Sequence, residues 1–533
     1  MQTGGGMMSA GRVLTEEGRE RLLFRRQFLL GPRLPEGFPS WRRLRLREGL
    51  HLAAHPDLPV YRAERHGKSV TLLGYLIDPR NPLHTDGEVV QGLLERLDTA
   101  DAFFPHTYEL GGRWVLLVDD GREMRLFNDA VGFRQVFYSD ARLAGGLWCA
   151  SQPGLIADLL SLEPDRKALE FIRSFSEREK EYWWPGDSSL YREVLHLLPN
   201  HFLDLKTGAV GRFWPAGDTA RLSLEEAVHA TGELLSGLVK GASHRFELAL
   251  SLTAGRDTRL LLASLKEASR KVYCFTLMYW DLKKSSPDIR VPSSLLRRLG
   301  LKHTVIRCPP SMDEEFGSIY RRNVTTAREA YGAIAQGLFR SYPQEKVCVK
   351  GNAAGIAKSI YTYMLPPERR GEEVTDATLA ELTGMGDSAF ARRAFEKWLG
   401  GAKKWRTPTL LDLFKWENRE GNWQAMSQLE WDIVQEVFVP YNCRALLAGM
   451  LSVDEQYRRP PEYALQERLI ERFWPELLQE PINPRGGNGP LRALLVRVLV
   501  KARLHGFLKS VLGRTNCLLM GNLLLESLPD LLL

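Results

Sequence analysis

The sequence predicts an α/β protein in two parts: a mostly β, layered domain over residues 1–215 and a domain with a doubly wound parallel sheet over residues 222–533. Three observations support this. Before residue 215, short runs rich in β-branched and aromatic residues are separated by turn dipeptides. From about residue 222, short apolar runs alternate with helical patterns, which is typical of parallel sheets. From about residue 376 the chain has a mainly helical pattern.

In the N-terminal part the sequence pattern predicts strands over 69–77, 113–118, 123–127, 135–138 and 201–205. The dipeptides Asp120-Gly121 and Thr207-Gly208 indicate turns between them. Helical patterns are few, and the clearest cover 88–97 and 155–160. The alternating arginines of 42–47 predict an edge strand with solvated side chains.

In the C-terminal part Ser223 and Glu226 form a capping-box pattern, which predicts a helix to about residue 240. Strands are then predicted over 246–252, 272–277, 303–306 and 346–350. The helices between them are predicted to end near 269, to lie near 292–299 and to cover 326–340. Ligands of such sheets bind at the carboxyl ends of the strands. We expect the helical region beyond 376 to pack on the sheet as one unit.

Composition excludes several classes of function. The 533 residues are 44% hydrophobic and 26% charged, and the formal net charge is only +7, so nucleic acid is not an expected partner. The six cysteines are far apart, which favours free thiols over a disulfide scaffold. No apolar run is long enough for a transmembrane helix and no signal peptide is visible, so we expect a cytoplasmic protein. The basic, leucine-rich stretch 491–511 predicts a packed terminal helix, with a membrane-surface helix as the alternative.

The stretch with the clearest chemistry is residues 253–258, Thr-Ala-Gly-Arg-Asp-Thr, where a buried strand passes directly into a helix. Small residues let phosphate oxygens approach backbone N–H groups, and the N-terminus of a helix favours negative charge. The hydroxyls of Thr253 and Thr258 can donate further hydrogen bonds. The carboxylate of Asp257 would hold a Mg²⁺ ion that bridges the phosphates. The alternative is an ordinary strand-to-helix turn with Asp257 near the helix cap.

This stretch resembles the Ser-Gly-Gly-x-Asp-Ser pyrophosphate loop of the asparagine synthetase family, whose members are N-type ATP pyrophosphatases that split ATP into AMP and pyrophosphate. The GxxxxGK[ST] pattern of the Walker loop is absent. Further segments are similar to the family in order and spacing, so the resemblance covers most of the chain. They are residues 127–138, residues 188–214, Asp288 and residues 349–355.

The resemblance implies a glutaminase-like domain of the N-terminal nucleophile type, followed by an ATP pyrophosphatase domain that binds ATP and Mg²⁺. Asp257 would be the metal ligand. Asn352 in the second loop and Arg485, near the Leu491-Arg492 pair, would take the catalytic positions. The nucleotide would be bound by Ser251, Thr253, Ala254, Gly255, Arg256, Asp257, Thr258, Leu277 and Gly351.

The chain departs from the family pattern in both parts. Gln2 stands where glutamine-dependent members have their cysteine nucleophile, and Leu73-Gly74 replaces the expected Asn-Gly. The resemblance therefore implies no glutamine hydrolysis, as in the family's β-lactam synthetases. In the second loop Asn352 and Gly355 replace two carboxylates.

Two motifs leave alternatives open. Lys350 and Lys358 flank the second loop and are either counter-charges for pyrophosphate or solvated side chains. The segments 416–423 and 439–444 lie where relatives carry substrate-pocket residues. There Trp416 and Trp423 belong either to a polar pocket or to a helical core stripe.

The function that these observations favour is an AMP-forming amide ligase. It would adenylate a substrate carboxylate and condense it with an amine, without hydrolysing glutamine. The substrate is expected to be a small molecule, a peptide or a cell-surface precursor, and a homodimer is possible. The alternative is a non-catalytic nucleotide-binding or scaffold protein of the same fold.

Overall fold

The computed structural model describes residues 15–143, 146–217, 220–404 and 409–484. Over these ranges the chain is an α/β protein with two six-stranded antiparallel sheets and one five-stranded parallel sheet. The predicted fold class, with its β-rich N-terminal part and its C-terminal parallel sheet, is confirmed. Among the described residues, no helix has the length and apolar character needed to cross a membrane.

The strands of the N-terminal part form the two antiparallel sheets, in the orders β10-β8-β9-β1-β3-β2 and β12-β11-β7-β6-β5-β4. The predicted edge position of 42–47 is confirmed, because β2 ends the first sheet. The strands are β1 (Phe28–Gly31), β2 (Arg42–Arg47), β3 (Leu50–Ala54), β4 (Val60–Arg65), β5 (Lys68–Ile77), β6 (Gly111–Asp119), β7 (Met124–Asn128), β8 (Phe137–Ser139), β9 (Cys149–Ala150), β10 (Val194–His196), β11 (His201–Asp204) and β12 (Val210–Arg212).

Helices pack against all three sheets. The helices are α1 (Glu16–Leu22), α2 (Asp86–Glu95), α3 (Ala100–Phe103), α4 (Pro153–Leu160), α5 (Arg166–Arg178), α6 (Leu224–Arg245), α7 (Arg256–Ser264), α8 (Pro287–Arg298), α9 (Glu314–Asn323), α10 (Glu329–Ser341), α11 (Ile360–Met364), α12 (Asp376–Leu382), α13 (Ala389–Ala402), α14 (Leu410–Phe414), α15 (Ala425–Trp431), α16 (Arg444–Leu451) and α17 (Ala464–Phe473). A π-helical segment, Lys415–Gln424, joins α14 to α15.

The N-terminal part is built in layers because the inner strands of each sheet carry apolar side chains on both faces. The inner faces of the two sheets share one core, to which Phe28 contributes from the first sheet and Val115 from the second. Outside the first sheet, Ile156 of α4 packs with Trp148. Outside the second sheet, α2 packs against β5. The chain thus forms helix, sheet, sheet and helix layers, each closing an apolar face.

The parallel sheet has the order β15-β14-β13-β16-β17, and its strands are β13 (Leu248–Ser251), β14 (Tyr273–Met278), β15 (Thr304–Arg307), β16 (Val347–Val349) and β17 (Glu436–Phe438). All its neighbouring pairs run parallel. After β13 the chain builds the sheet outward through β14 and β15, and then returns to the other side of β13 for β16 and β17. The four strands predicted here are confirmed, whereas β17 was not predicted.

The helix boundaries follow their caps. Ser223 and Glu226 form both bonds of the predicted capping box, and α6 continues past the predicted end to Arg245. The helix expected to begin near Pro292 begins earlier, because Pro287 takes the first-turn position and Pro292 lies inside the helix. Helix α9 was not predicted.

A buried cluster of charges joins the two parts of the chain. Arg113 of β6 donates hydrogen bonds to both carboxylate oxygens of Asp432, at 2.5 and 2.8 Å, and lies 3.2 Å from Glu436 of β17. Close by, the hydroxyl of Tyr75 donates to the carbonyl of Val437 at 2.6 Å. Because a buried charge is costly without its partner, these contacts fix the parallel sheet against the second antiparallel sheet.

Candidate functional site

The site lies where the strand order of the parallel sheet reverses. The neighbouring strands β13 and β16 leave the sheet at the same edge, but their connections run to opposite sides. Such a switch point opens a crevice beyond the carboxyl ends of the two strands. One wall of the crevice is the loop over 252–255 that leads into α7, and the other is the loop that begins at Lys350.

The first loop is held by its own hydroxyl groups. The backbone N–H of Thr253 donates to Oγ1 of Thr258 at 3.2 Å, and the N–H of Gly255 donates to Oγ1 of Thr253 at 3.1 Å. The N–H of Ala254 donates to Oδ1 of Asp288 at 3.0 Å. Gly255 stands at the N-cap of α7 and supplies no side-chain cap. The loop thus has a fixed shape, and its helix begins without a capping side chain.

The two loops approach each other so closely that one position requires glycine. A Cβ atom added at Gly351 would lie 3.1 Å from the Cβ of Asp257 and 3.4 Å from the backbone nitrogen of Thr258. A side chain at this position would therefore push the second loop away from the start of α7.

Asp257 faces two side chains of the protein. Its Oδ2 lies 3.0 Å from Nζ of Lys358, and its Oδ1 accepts a hydrogen bond from Nε2 of Gln466 at 3.0 Å. The side chains of Lys358 and Asp257 are only 2% and 15% exposed. The carboxylate predicted to hold magnesium is thus engaged at both oxygens. Within the described ranges, no cluster of three or more His, Cys, Asp or Glu side chains is arranged to hold a metal ion.

A fully buried arginine fixes the C-terminal segment beside the first loop. The guanidinium of Arg259 donates to the carbonyls of Leu477, Glu480 and Pro481, at 2.8, 3.0 and 3.0 Å. This places the N–H of Asn483 at 3.1 Å from the carbonyl of Ala254. No role of Arg259 was predicted from the sequence. In the sequence, Arg259 is a single arginine in a helical segment, and such a residue cannot be distinguished from one with a solvated side chain.

The crevice opens into a cavity of about 150 Å³ that is open to solvent. Of the predicted site residues, it is lined by Ser251, Thr253, Gly255, Arg256, Asp257, Thr258, Leu277, Gly351 and Asn352. Ala254 is buried beneath the loop and does not line the cavity. Arg485 lies outside the described residues.

Lys350 brings an unpaired ammonium to this cavity. Its side chain is buried, its Nζ has no hydrogen-bond partner, and the nearest aromatic ring is that of Trp431, whose centroid is 3.6 Å away. Burial lowers the pKa of Lys350 to about 7. Because Lys350 and Lys358 are both buried, the alternative of two solvated lysines is wrong.

The cavity is also lined by a carboxyl group from the N-terminal part, that of Glu181. Oε1 of Glu181 accepts a hydrogen bond from the hydroxyl of Tyr331 at 2.7 Å, whereas Oε2 is buried without a partner. Burial raises the pKa of Glu181. Trp416 and Trp423 are both buried in the same apolar core, where the Trp416 indole N–H donates to the carbonyl of Ala130. Trp423 also lines the cavity, so the interpretation as core residues holds for both tryptophans. Glu181 was not predicted as a site residue, since no sequence motif surrounds it.

No protein-family model matches the chain, and no curated protein matches its sequence. Among solved structures, one described as the allosteric regulatory enzyme of purine biosynthesis is 11% identical, covers 61% of this chain and 90% of its own, and has a TM-score of 0.24. Glutamine phosphoribosylpyrophosphate amidotransferase from B. subtilis, complexed with ADP and GMP, is 10% identical, covers 60% of this chain and 88% of its own, and has a TM-score of 0.20. At such scores, neither likeness supports a functional conclusion.

Proposed function

We propose that the chain is an ATP-dependent, AMP-forming amide ligase of the asparagine synthetase type, without glutaminase activity. The observation that carries the proposal is the cavity at the switch point, where the loop over 253–258, Gly351 and the ammonium of Lys350 meet. In open α/β sheets this crevice is the usual position of nucleotides. The sequence resemblance assigns the same loop to the pyrophosphate part of ATP.

The triphosphate would lie at the N-terminus of α7. The N–H groups of a first helical turn and the helix dipole favour an anion there. Arg256 and Lys350 line the cavity and supply positive charge, and the guanidinium of Arg256 lies 4.6 Å from the ring centroid of Tyr463. By the family resemblance, adenine would lie against Ser251 and Leu277, which lie near the carboxyl ends of neighbouring strands and line the same cavity.

In the first half-reaction an oxygen of the substrate carboxylate attacks the α-phosphorus of ATP, and the bond to the bridging β-phosphate oxygen breaks. Pyrophosphate leaves beside Arg256 of the first loop and Lys350 of the second. In the second, an amine attacks the acyl carbon and AMP departs with the bridging oxygen. The unpartnered Oε2 of Glu181 can accept the amine hydrogen bond and then its proton, since burial raises the pKa of this carboxyl group.

The residues present do not fit a dedicated magnesium site. The two carboxylate oxygens of Asp257 accept hydrogen bonds from the Lys358 ammonium and the Gln466 amide. A magnesium ion would need these oxygens as ligands, together with further oxygen atoms around it. A magnesium ion that enters with ATP would have to displace one of these donors. In this proposal the negative charge of the phosphates is therefore neutralised by side chains of the protein, Arg256 and Lys350.

One observation favours the second candidate, a nucleotide-binding protein without catalysis. In the family that the sequence resembles, the second loop carries two carboxylate side chains. In this chain Asn352 and Gly355 stand at those two positions. A Cβ atom at Gly355 would lie 3.2 Å from Cε of Lys415, which forms an ion pair with Glu420 at 2.7 Å. The space around that position is thus used by an internal ion pair.

Exchange of radiolabelled pyrophosphate into ATP separates the two candidates. The purified full chain is incubated with ATP, pyrophosphate and a panel of carboxylic acids that includes amino acids and peptides. The corresponding C-terminal amides, which lack the free carboxylate, are the negative controls. The ligase predicts exchange that depends on a free carboxylate, whereas a binding protein gives ATP affinity without exchange for any acid. Absence of ATP binding would contradict both candidates. Gly351→Ala should weaken ATP binding because its Cβ would crowd Asp257. Gly400→Ala, in open space on α13, is the matched control for this substitution.

A further inference from the structure

Aromatic side chains line the cavity beside the two loops. Within the described ranges there are five, namely Tyr279 and Trp280 after β14, Tyr331 of α10, Trp423 of the π-helical segment and Trp431 of α15. The proposed function assigns the loop over 253–258 to the phosphates of ATP, and Ser251 and Leu277 to its adenine. It assigns no ligand to the faces of the five rings, so they are available for the substrate that ATP activates.

Trp280 is the most exposed of these rings. It is 46% exposed, although it lines the cavity. Its backbone lies in the left-handed region, with φ of 49°, which a non-glycine residue keeps only where the surrounding structure holds it. Its ring packs edge-on against the ring of Tyr279, with a centroid distance of 5.0 Å and an angle of 86° between the ring planes. The fold thus fixes an open indole face at the cavity.

Cations of the protein already lie close to three of the rings. The ammonium nitrogens of Lys180 and Lys350 and the guanidinium carbon of Arg419 lie 5.3, 3.6 and 3.9 Å from the ring centroids of Trp280, Trp431 and Trp423. Within the described residues, none of the three cations forms an ion pair with a carboxylate. A second cation would be repelled by these charges, whereas an anion would be attracted. The cavity therefore favours a ligand that combines a flat ring with a negative charge.

Lys350 is the group that suits a substrate carboxylate. It lines the cavity, and its buried Nζ has no hydrogen-bond partner. A buried ammonium is costly without an anion, and a carboxylate is one of its strongest partners. The carboxylate of the acyl donor has to approach the α-phosphate that it attacks, so one ammonium can serve both anions. Because Nζ lies against the ring of Trp431, an acid bound there has aromatic neighbours.

We propose that the acyl donor is a planar aromatic carboxylic acid, whose ring packs on Trp280 and whose carboxylate is bound by Lys350. This inference rests on the proposed function and names the substrate class of the same site. Aromatic rings gain attraction from their mutual geometry beyond the burial of their area. The site should therefore prefer an aromatic acid to a saturated acid of similar size, and Trp280 should determine that preference.

The test is ATP–pyrophosphate exchange with pairs of acids that differ only in the saturation of the ring. The pairs are benzoate and cyclohexanecarboxylate, phenylacetate and cyclohexylacetate, and 3-phenylpropanoate and 3-cyclohexylpropanoate. The inference predicts that kcat/KM of the best aromatic acid exceeds that of its saturated partner about tenfold or more. Equal values within every pair, or exchange only with acids that have no ring, overturn the inference and leave the ligase standing. Absence of exchange with every acid overturns both.

Two substitutions of Trp280 locate the preference. Trp280→Leu keeps an apolar side chain but removes the ring, so it should raise KM for the aromatic acid about tenfold and leave kcat nearly unchanged. KM for the saturated acid and the dissociation constant for ATP should stay unchanged, and Trp280→Phe should restore most of the loss. Equal losses with both acids overturn the inference. A matching loss of ATP affinity would place adenine on this ring, which overturns the inference and keeps the nucleotide site.

Tyr61→Leu is the matched control for the loss of an exposed ring. Tyr61 of β4 is 40% exposed and does not line the cavity. Its replacement should change neither KM for the aromatic acid nor the dissociation constant for ATP. An equal rise of KM in Tyr61→Leu and Trp280→Leu would contradict the inference.

Discussion

Replacement of Lys350 by methionine should stabilise the protein at low pH and change its stability little at high pH. Burial lowers the pKa of Lys350 from 10.5 to about 7. Below pH 7 both the folded and the unfolded chain hold the proton, and above pH 10.5 neither does. Between these values only the unfolded chain binds it, so burial of Lys350 makes the free energy of unfolding rise with pH over this window.

The magnitude follows from the width of the window. A lowering of about 3.5 pH units at ~1.4 kcal/mol per unit gives roughly 5 kcal/mol, which the wild type loses as the pH falls from 10.5 to 7. Methionine has a similar shape and can keep the contact with Trp431 without a charge. The excess stability of Lys350→Met over the wild type should therefore be several kcal/mol at pH 6 and approach zero near pH 10.

Guanidinium unfolding followed by tryptophan fluorescence at a series of pH values from 6 to 10 measures this difference. Lys346→Met, at the opposite end of the same strand, is the control, and its difference from the wild type should not depend on pH in the same way. A stability difference between Lys350→Met and the wild type that is constant over the whole range would refute the reasoning. So would a loss of stability at pH 6.

Three further predictions concern the site and its support. Gly351→Ala should raise the dissociation constant for ATP about tenfold in calorimetry, because the added Cβ would lie only 3.1 Å from the Cβ of Asp257. An unchanged dissociation constant would count against the close approach of the two loops. Glu181→Gln should leave the rate of ATP–pyrophosphate exchange unchanged and lower the rate of amide formation with the same acid by about 10²-fold. An equal loss of rate in both assays would exclude a specific role of Glu181 in the amine step. Glu430→Gln should cost roughly 3–5 kcal/mol in guanidinium unfolding, since it breaks the fully buried pair with Arg328 at 2.7 Å; a cost near zero would contradict this burial.

The fold was predictable where local rules and tertiary packing agree. The capping box at Ser223 and the apolar run before Thr253 each predicted the element that the structure contains. Strand β17 was not predicted because only three residues, Glu436–Phe438, pair with β16, and the pattern around them is helical. Pro292 was misinterpreted as a helix start because a proline in the first turn is the common case, and Pro287 already fills that position.

The site was predictable as far as one continuous segment describes it. The loop over 253–258 and Gly351 line the same cavity because the ends of parallel strands meet at one edge. The partners of Asp257 were not predictable, since Lys358 lies 101 residues and Gln466 lies 209 residues further along the chain. Glu181 reaches the cavity from the N-terminal part, and no spacing in the sequence reports that contact.

The most direct test of the nucleotide site is a crystal structure of the full chain with the α,β-methylene analogue of ATP. The proposal predicts the triphosphate at the N-terminus of α7, between the loop over 253–258 and Gly351, with the adenine beside Ser251 and Leu277. A nucleotide bound anywhere else, or a crevice that closes on its own side chains at saturating analogue, would contradict it.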